Sequence, residues 1–194
     1  IAFYVINLSV LNHFKPIIDV NPNCFEIVVD ASADFNISKS INILNRFGFE
    51  DIDNVLRLKI HNILKNKNIK IRSVKELREN KLIYEKLVSN LGDHEFTLAE
   101  MKNNIETKTI VHTIKLFGKK NIRIMYTAGK NKYTIYSYWN KYYDGILCFG
   151  PYHENKFKIK HNIPTSQMGY PRFDKYFKPG FERSDLLKKF NCDP

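Results

Sequence analysis

The sequence predicts a Rossmann-like α/β domain: a doubly wound, mostly parallel sheet with helices on both faces. Three observations carry this reading. Short β-rich runs alternate with longer stretches whose apolar residues recur at helical spacing. The first run, residues 1–6 (IAFYVI), is continuously apolar, as a strand buried between two helix layers is. Parallel neighbours need crossover connections, and right-handed crossovers wind such units into a doubly wound sheet.

The elements follow in order. Residues 1–6 give way to Asn7-Leu8-Ser9, where Ser9 offers an N-cap for a helix running to Asp19. Pro16 lies inside that stretch and predicts a short or broken helix. Residues 25–29 (FEIVV) form the next strand, ending at Asp30. Residues 37–47 carry Ile37, Ile41, Ile43, Leu44 and Phe47 at helical spacing and stop at Gly48. A second helix spans 53–66, and a short strand spans 69–72. Ser73-Val-Lys-Glu reads as a capping box opening another helix.

Residues 84–89 form a strand, and 93–107 show no readable periodicity. Residues 109–119 are helical, with Ile110, Val111, Ile114 and Phe117 on one face, and 121–126 (NIRIMY) are a strand. The aromatic-rich segment 135–143 reads as helical, followed by the buried strand 145–149 (GILCF). A helix over 152–161, a brief strand at 166–168 and a terminal helix at 183–190 complete the pattern. No internal repeat and no long linker interrupts it. The 194 residues suit one domain with a full core better than two small ones.

Composition narrows the function classes. With 43% hydrophobic and 26% charged residues, the chain is globular in type rather than disordered. The three cysteines, Cys24, Cys148 and Cys192, are odd in number and far apart, which fits a reducing cytoplasmic compartment. They form no CxxC pair and no Cys/His cluster with zinc spacing, so no metal site is expected. No apolar run reaches the ~20 residues of a membrane span, and the first residues lack a basic region and a cleavage site.

The net charge of +11 is compatible with nucleic acid, an anionic membrane surface or a phosphorylated substrate. It is equally compatible with lysines coating an ordinary surface. The basic residues are spread along the chain without an arginine-rich arm or an RNA-binding signature, so sequence-specific nucleic-acid binding is not expected.

Ligands of doubly wound sheets bind beyond the carboxyl ends of the strands. That rule selects the loops at 7–13, 30–34, 89–93, 127–132, 150–153 and 169–172. No GxGxxG follows the first strand and no GxxxxGK[ST] occurs, which disfavours a nicotinamide dehydrogenase and a P-loop NTPase. HExxH and GxSxG are absent as well, and no cofactor is implied.

Within the loops, Asn7 and Ser9 follow the first strand as substrate-binding candidates. Ala128-Gly129-Lys130 could bring a backbone amide and an ammonium to a phosphate, or form a plain glycine turn. Gly150-Pro151-Tyr152 opens a helix whose free amides could hold an anion. Gly169-Tyr170-Pro171-Arg172 repeats this logic, with Arg172 suited to bidentate phosphate contact or to a structural ion pair with Asp174. Among the six histidines, His13 is the general-base candidate by position, against a surface or capping role. His153 is a weaker candidate, and His61 and His112 read as structural. Tyr133, Tyr136, Tyr138, Trp139, Tyr142 and Tyr143 could form a sugar platform, although packing of a helix on the sheet accounts for most of them.

Several motifs together point to a family. Trp139-Asn140, then Tyr143-Asp144-Gly145-Ile146-Leu147-Cys148-Phe149-Gly150-Pro151-Tyr152, and Gly169-Tyr170-Pro171-Arg172-Phe173-Asp174 resemble the N-terminal half of CDP-glycerol glycerophosphotransferase-type enzymes. The opening IAFYVINLSVLNHFKPII and the strand end Leu87-Val88-Ser89-Asn90 fit as well. Related GT-B transferases and the UDP-N-acetylglucosamine 2-epimerase group share the architecture.

The resemblance implies the acceptor-side half of a GT-B enzyme, over 1–182, with 183–194 leading toward a second domain that binds a nucleotide-activated donor. It implies transfer of a glycerophosphate or sugar group to a phosphorylated or lipid-linked glycan, with peripheral contact at an anionic membrane, and an isolated chain without turnover. In many members a His-Gly pair follows the strand ending near Tyr126. Here Ala128 precedes Gly129, so either another residue serves as base, His13 being the first candidate, or the chemistry of this member differs. Two alternatives are a non-catalytic basic module that binds a polyanionic glycan or nucleic acid, and a 2-epimerase-like enzyme.

Overall fold

The structure, a computed structural model, describes residues 1–34, 52–65, 67–90, 105–125, 135, 138–171 and 173. Its seven strands are β1 (Ala2–Val5), β2 (Glu26–Val29), β3 (Lys70–Ser73), β4 (Tyr84–Ser89), β5 (Gly118–Ile124), β6 (Gly145–Cys148) and β7 (Thr165–Gln167). The helices among the described residues are α1 (Leu8–Val20), α2 (Ile52–Ile63), α3 (Val74–Glu79), α4 (Ile105–Phe117) and α5 (Pro151–His161). Short 3₁₀ turns lie at Pro22–Cys24, Ala31–Ala33 and Tyr138–Tyr142.

The strands form one sheet in the order β3-β2-β1-β4-β5-β6-β7, with every neighbouring pair parallel. The chain therefore winds outward from β1 to β3, crosses back to β4 on the other side of β1, and winds outward again. This is the doubly wound α/β fold that the alternating pattern predicts. The winding reverses between β1 and β4, which opens a crevice at their carboxyl ends.

β1 shows why both faces must be covered. Successive side chains point to opposite faces. Phe3 packs on Phe14 of α1, with ring centroids 4.7 Å apart. Tyr4, the next residue, meets Asp30 and Thr113 of α4. All four β1 residues are buried, as are Ile27, Val28 and Val29 of β2. Helix α1 adds Leu11, Phe14 and Ile18, each fully buried, at about 1.5–3 kcal/mol per large apolar side chain. A smaller cluster, including Met125, Ile146, Cys148 and Phe157, packs α5 against β6.

Several boundaries differ from the sequence reading. The N-cap of α1 is Asn7, two residues earlier than Ser9, and its Oδ1 accepts the Val10 N–H at 2.9 Å. Helix α1 runs unbroken through Pro16. The carbonyl that Pro16 leaves without an amide is that of Asn12, an exposed residue where water can take it. Strand β5 starts at Gly118 rather than 121, because the backbone passes too close to Leu87 and Asn121 there to admit a Cβ. Within the segment read as a helix over 135–143, Ile135 is α-helical and Tyr138–Tyr142 is a 3₁₀ helix. The capping box stands as read: Ser73 Oγ accepts the Glu76 N–H, and the Glu76 carboxylate accepts the Ser73 N–H. The helices expected over 37–47 and 183–190 lie outside the described residues.

Candidate functional site

Polar residues gather where the winding reverses. The β1–β4 register, Ala2 opposite Leu87 and Phe3 opposite Val88, brings Asn7 and Asn90 to the same edge of the sheet. Asn7 caps α1 with its oxygen and donates its Nδ2–H to Asp34 Oδ2 at 2.6 Å. Asn90 is 2% exposed, and neither its carbonyl oxygen nor its amide nitrogen has a hydrogen-bond partner among the described residues. An unpaired buried polar group costs about 1–3 kcal/mol, so its presence at this edge marks a place where something polar can be met.

Beside this edge, beyond the ends of β2 and β3, lies a cavity of about 410 Å³. One wall is acidic and hydroxylic. Asp30 is 3% exposed and its carboxylate collects three hydroxyl donors: Tyr4 at 2.5 Å, Ser32 at 2.6 Å and Thr113 at 3.5 Å. Burial, reinforced by the Asp30 charge, pushes the Tyr4 phenol well above its ordinary pKa, so it stays a donor. Asp53, in the first turn of α2, accepts the Ala31 N–H at 2.6 Å and ties the turn after β2 to that helix. Basic residues line it as well: Lys75 and Arg78 of α3 and His112 of α4, none of which has an ion-pair or hydrogen-bond partner for its side chain among the described residues. Lys75 and Arg78 are three apart on a helix and so share a face.

A second buried polar group supports the sheet between β4 and β6. Arg123 of β5 is 1% exposed, and its Nη1–H donates to Asn140 Oδ1. Asn140 is fully buried and its Nδ2–H also donates to the Ile135 carbonyl at 3.3 Å. The Tyr143 hydroxyl pairs with Ser89 Oγ at 2.9 Å, and burial pushes its pKa up to about 12. The carboxylate of Asp144 accepts the Asn121 N–H at 2.8 Å. Trp139-Asn140 and Tyr143-Asp144 thus have structural duties here, and Trp139 and Tyr143 belong to the core rather than to an open platform.

The predicted site residues are dispersed. His13 is 7% exposed and buried with Val10, Leu11 and Phe14 on α1. Ser9 is exposed on the first turn of the same helix. Gly150 caps α5 with an extended backbone and Pro151 occupies its first turn. Tyr152 is 58% exposed, with Lys156 Nζ 5.7 Å from its ring centroid. Tyr170 packs edge-on against Phe149 at 4.2 Å, just after Gly169, whose φ of +74° suits only glycine. Ala128, Gly129, Lys130 and Arg172 lie outside the described residues.

The loop at 30–34, selected by the strand-end rule, does line the cavity through Asp30 and Ser32. Asp53, Lys75, Arg78 and Thr113 were not singled out by the sequence, and His112, read as structural, is an exposed residue of the cavity wall.

Comparison of the chain with family profiles, with characterised proteins and with solved structures finds no match. Among the described residues, no helix is long and apolar enough to cross a membrane. No group of three or more His, Cys, Asp or Glu side chains among them is arranged to hold a metal.

Proposed function

We propose that this domain is the acceptor-side half of a transferase that moves a glycerophosphate or sugar group from a nucleotide-activated donor to a cell-surface polymer or glycolipid. The observation that carries the reading is the crevice at the β1–β4 reversal, where Asn7 meets Asp34 and the buried Asn90 carboxamide has no partner among the described residues. Doubly wound sheets bind their ligands at this position. The family resemblance of the sequence motifs quoted above supplies the class of reaction.

Such transfer needs a base for an acceptor hydroxyl and positive charge near the phosphates. The excess of basic residues supplies the second. His13 is the base that the sequence offers; its burial on α1 would require the crevice to open toward it. Donor binding would fall to a second nucleotide-binding domain that this sheet does not supply.

The test is to incubate the full-length polypeptide with CDP-glycerol and with UDP-sugars, each with and without membrane acceptor. Transfer of label to the acceptor is the expected result. Absence of both transfer and donor hydrolysis refutes the reading, and steeply salt-dependent nucleic-acid binding in its place would favour a basic binding module.

A further inference from the structure

We propose that the cavity beyond β2 and β3 binds a small phosphate monoester of a polyol, with the phosphate on Lys75, Arg78 and His112 and a hydroxyl on Ser32. Four features of the cavity select this ligand.

Its volume, about 410 Å³, is that of a small-molecule site rather than a groove for a polymer. Lys75, Arg78 and His112 line it without side-chain partners among the described residues, although two carboxylates share the same cavity. Those carboxylates are already engaged. Asp30 accepts from Tyr4, Ser32 and Thr113, and Asp53 accepts from the Ala31 amide. The basic wall is therefore left for an anion from outside, and arginine and lysine side by side suit a phosphate.

The Ser32 hydroxyl defines the other half of the ligand. Ser32, which is exposed, directs its single proton to Asp30, so its oxygen is left as an acceptor. An acceptor held in this way calls for a ligand with a hydroxyl donor placed beside its phosphate, as a polyol ester has. Among the described residues Val74 is the one purely apolar side chain of the lining, so a hydrophobic ligand has little to bind there. The inference rests on the transferase reading only for the reaction the ligand would enter; the binding itself follows from the cavity.

The experiment is a titration of the purified protein with glycerol 3-phosphate, inorganic phosphate and glycerol, followed by calorimetry and by amide shifts in ¹⁵N-labelled protein. Glycerol 3-phosphate should bind at least about tenfold more tightly than either of the other two, and the shifts should centre on Ala31, Lys75, Arg78 and Thr113. Both Lys75 and Arg78 are exposed, so Lys75→Ala/Arg78→Ala should keep the melting temperature while weakening glycerol 3-phosphate about tenfold or more per lost charge-assisted contact. Ser32→Ala should narrow the gap between glycerol 3-phosphate and inorganic phosphate.

Equal affinity for the ester and for inorganic phosphate, shifts centred elsewhere, or full affinity in the double variant would overturn the proposal. So would no binding of any probe below about 10 mM. Binding without transfer by the full-length polypeptide refutes the transferase reading and leaves the cavity site standing, whereas transfer without cavity binding does the reverse.

Discussion

Replacing Asn140 with alanine tests whether the buried guanidinium of Arg123 depends on this carboxamide. Arg123 is 1% exposed in the middle of β5, and Asn140 is fully buried beneath the 3₁₀ turn at Tyr138–Tyr142. Asn140→Ala removes the acceptor of one Nη1–H and a donor to the Ile135 carbonyl. A hydrogen bond to a charged group contributes about 1.5–3 kcal/mol and a neutral one about 1 kcal/mol. Their sum, about 2.5–4 kcal/mol, corresponds to a melting temperature lower by roughly 5–15 °C in a domain of this size.

Urea denaturation and thermal melts followed by circular dichroism measure the loss directly. The double variant with Arg123→Met isolates the pair: in that background Asn140→Ala should cost only about 1 kcal/mol, leaving a coupling energy of about 1.5–3 kcal/mol. A single-variant loss below about 0.5 kcal/mol, or a coupling energy near zero, would refute the reasoning.

Two further outcomes follow from the packing and the charges. Gly118→Ala places a Cβ 2.8 Å from the Leu87 Cβ and 2.5 Å from Asn121 Oδ1, so β4 and β5 must part. A loss of about 1–3 kcal/mol in a urea melt is expected, and an unchanged midpoint would count against this strand contact. Burial raises the Glu26 carboxyl pKa, but hydrogen bonds from Tyr84 at 2.8 Å and Arg72 at 3.1 Å outweigh it and hold the group below its ordinary 4.5. The native state thus binds this proton more weakly than the unfolded chain, so the stabilisation is present above pH 4.5 and is lost as the pH falls through the lower native value. Glu26→Gln should make the acid limb of the stability profile shallower, and superimposable limbs for the two proteins would contradict the assignment.

The fold was legible because its signals are local. A continuous apolar run such as IAFYVI needs helices on both faces wherever it sits, and Phe3 and Tyr4 show the two faces being used. The Ser73–Glu76 box was legible for the same reason, since both halves lie within one turn. Errors arose where a distant contact overruled a local preference. Pro16 reads as a helix breaker, yet Leu11, Phe14 and Ile18 hold α1 to the sheet on the side opposite the lost hydrogen bond. Gly118 reads as the end of a helix, but the closeness of Leu87 makes it the first residue of β5.

The cavity was only partly legible, and the reason is topological. Asp30 ends an apolar run, so the strand-end rule reaches it from sequence alone. Lys75, Arg78 and His112 occupy helix positions that look like any solvated basic face, in a chain with 31 lysines and arginines. His112 joins Lys75 and Arg78 only because β3 pairs with β2 and α4 packs over the end of β2 at Asp30, a fact set by the strand order and not by residue spacing. Arg123 is the opposite case. An arginine inside the run NIRIMY contradicts the burial expected of a central parallel strand, and such a conflict signals a buried partner elsewhere in the chain. Asn140 is a partner of this kind, and it belongs to a motif that the sequence had marked for a different reason.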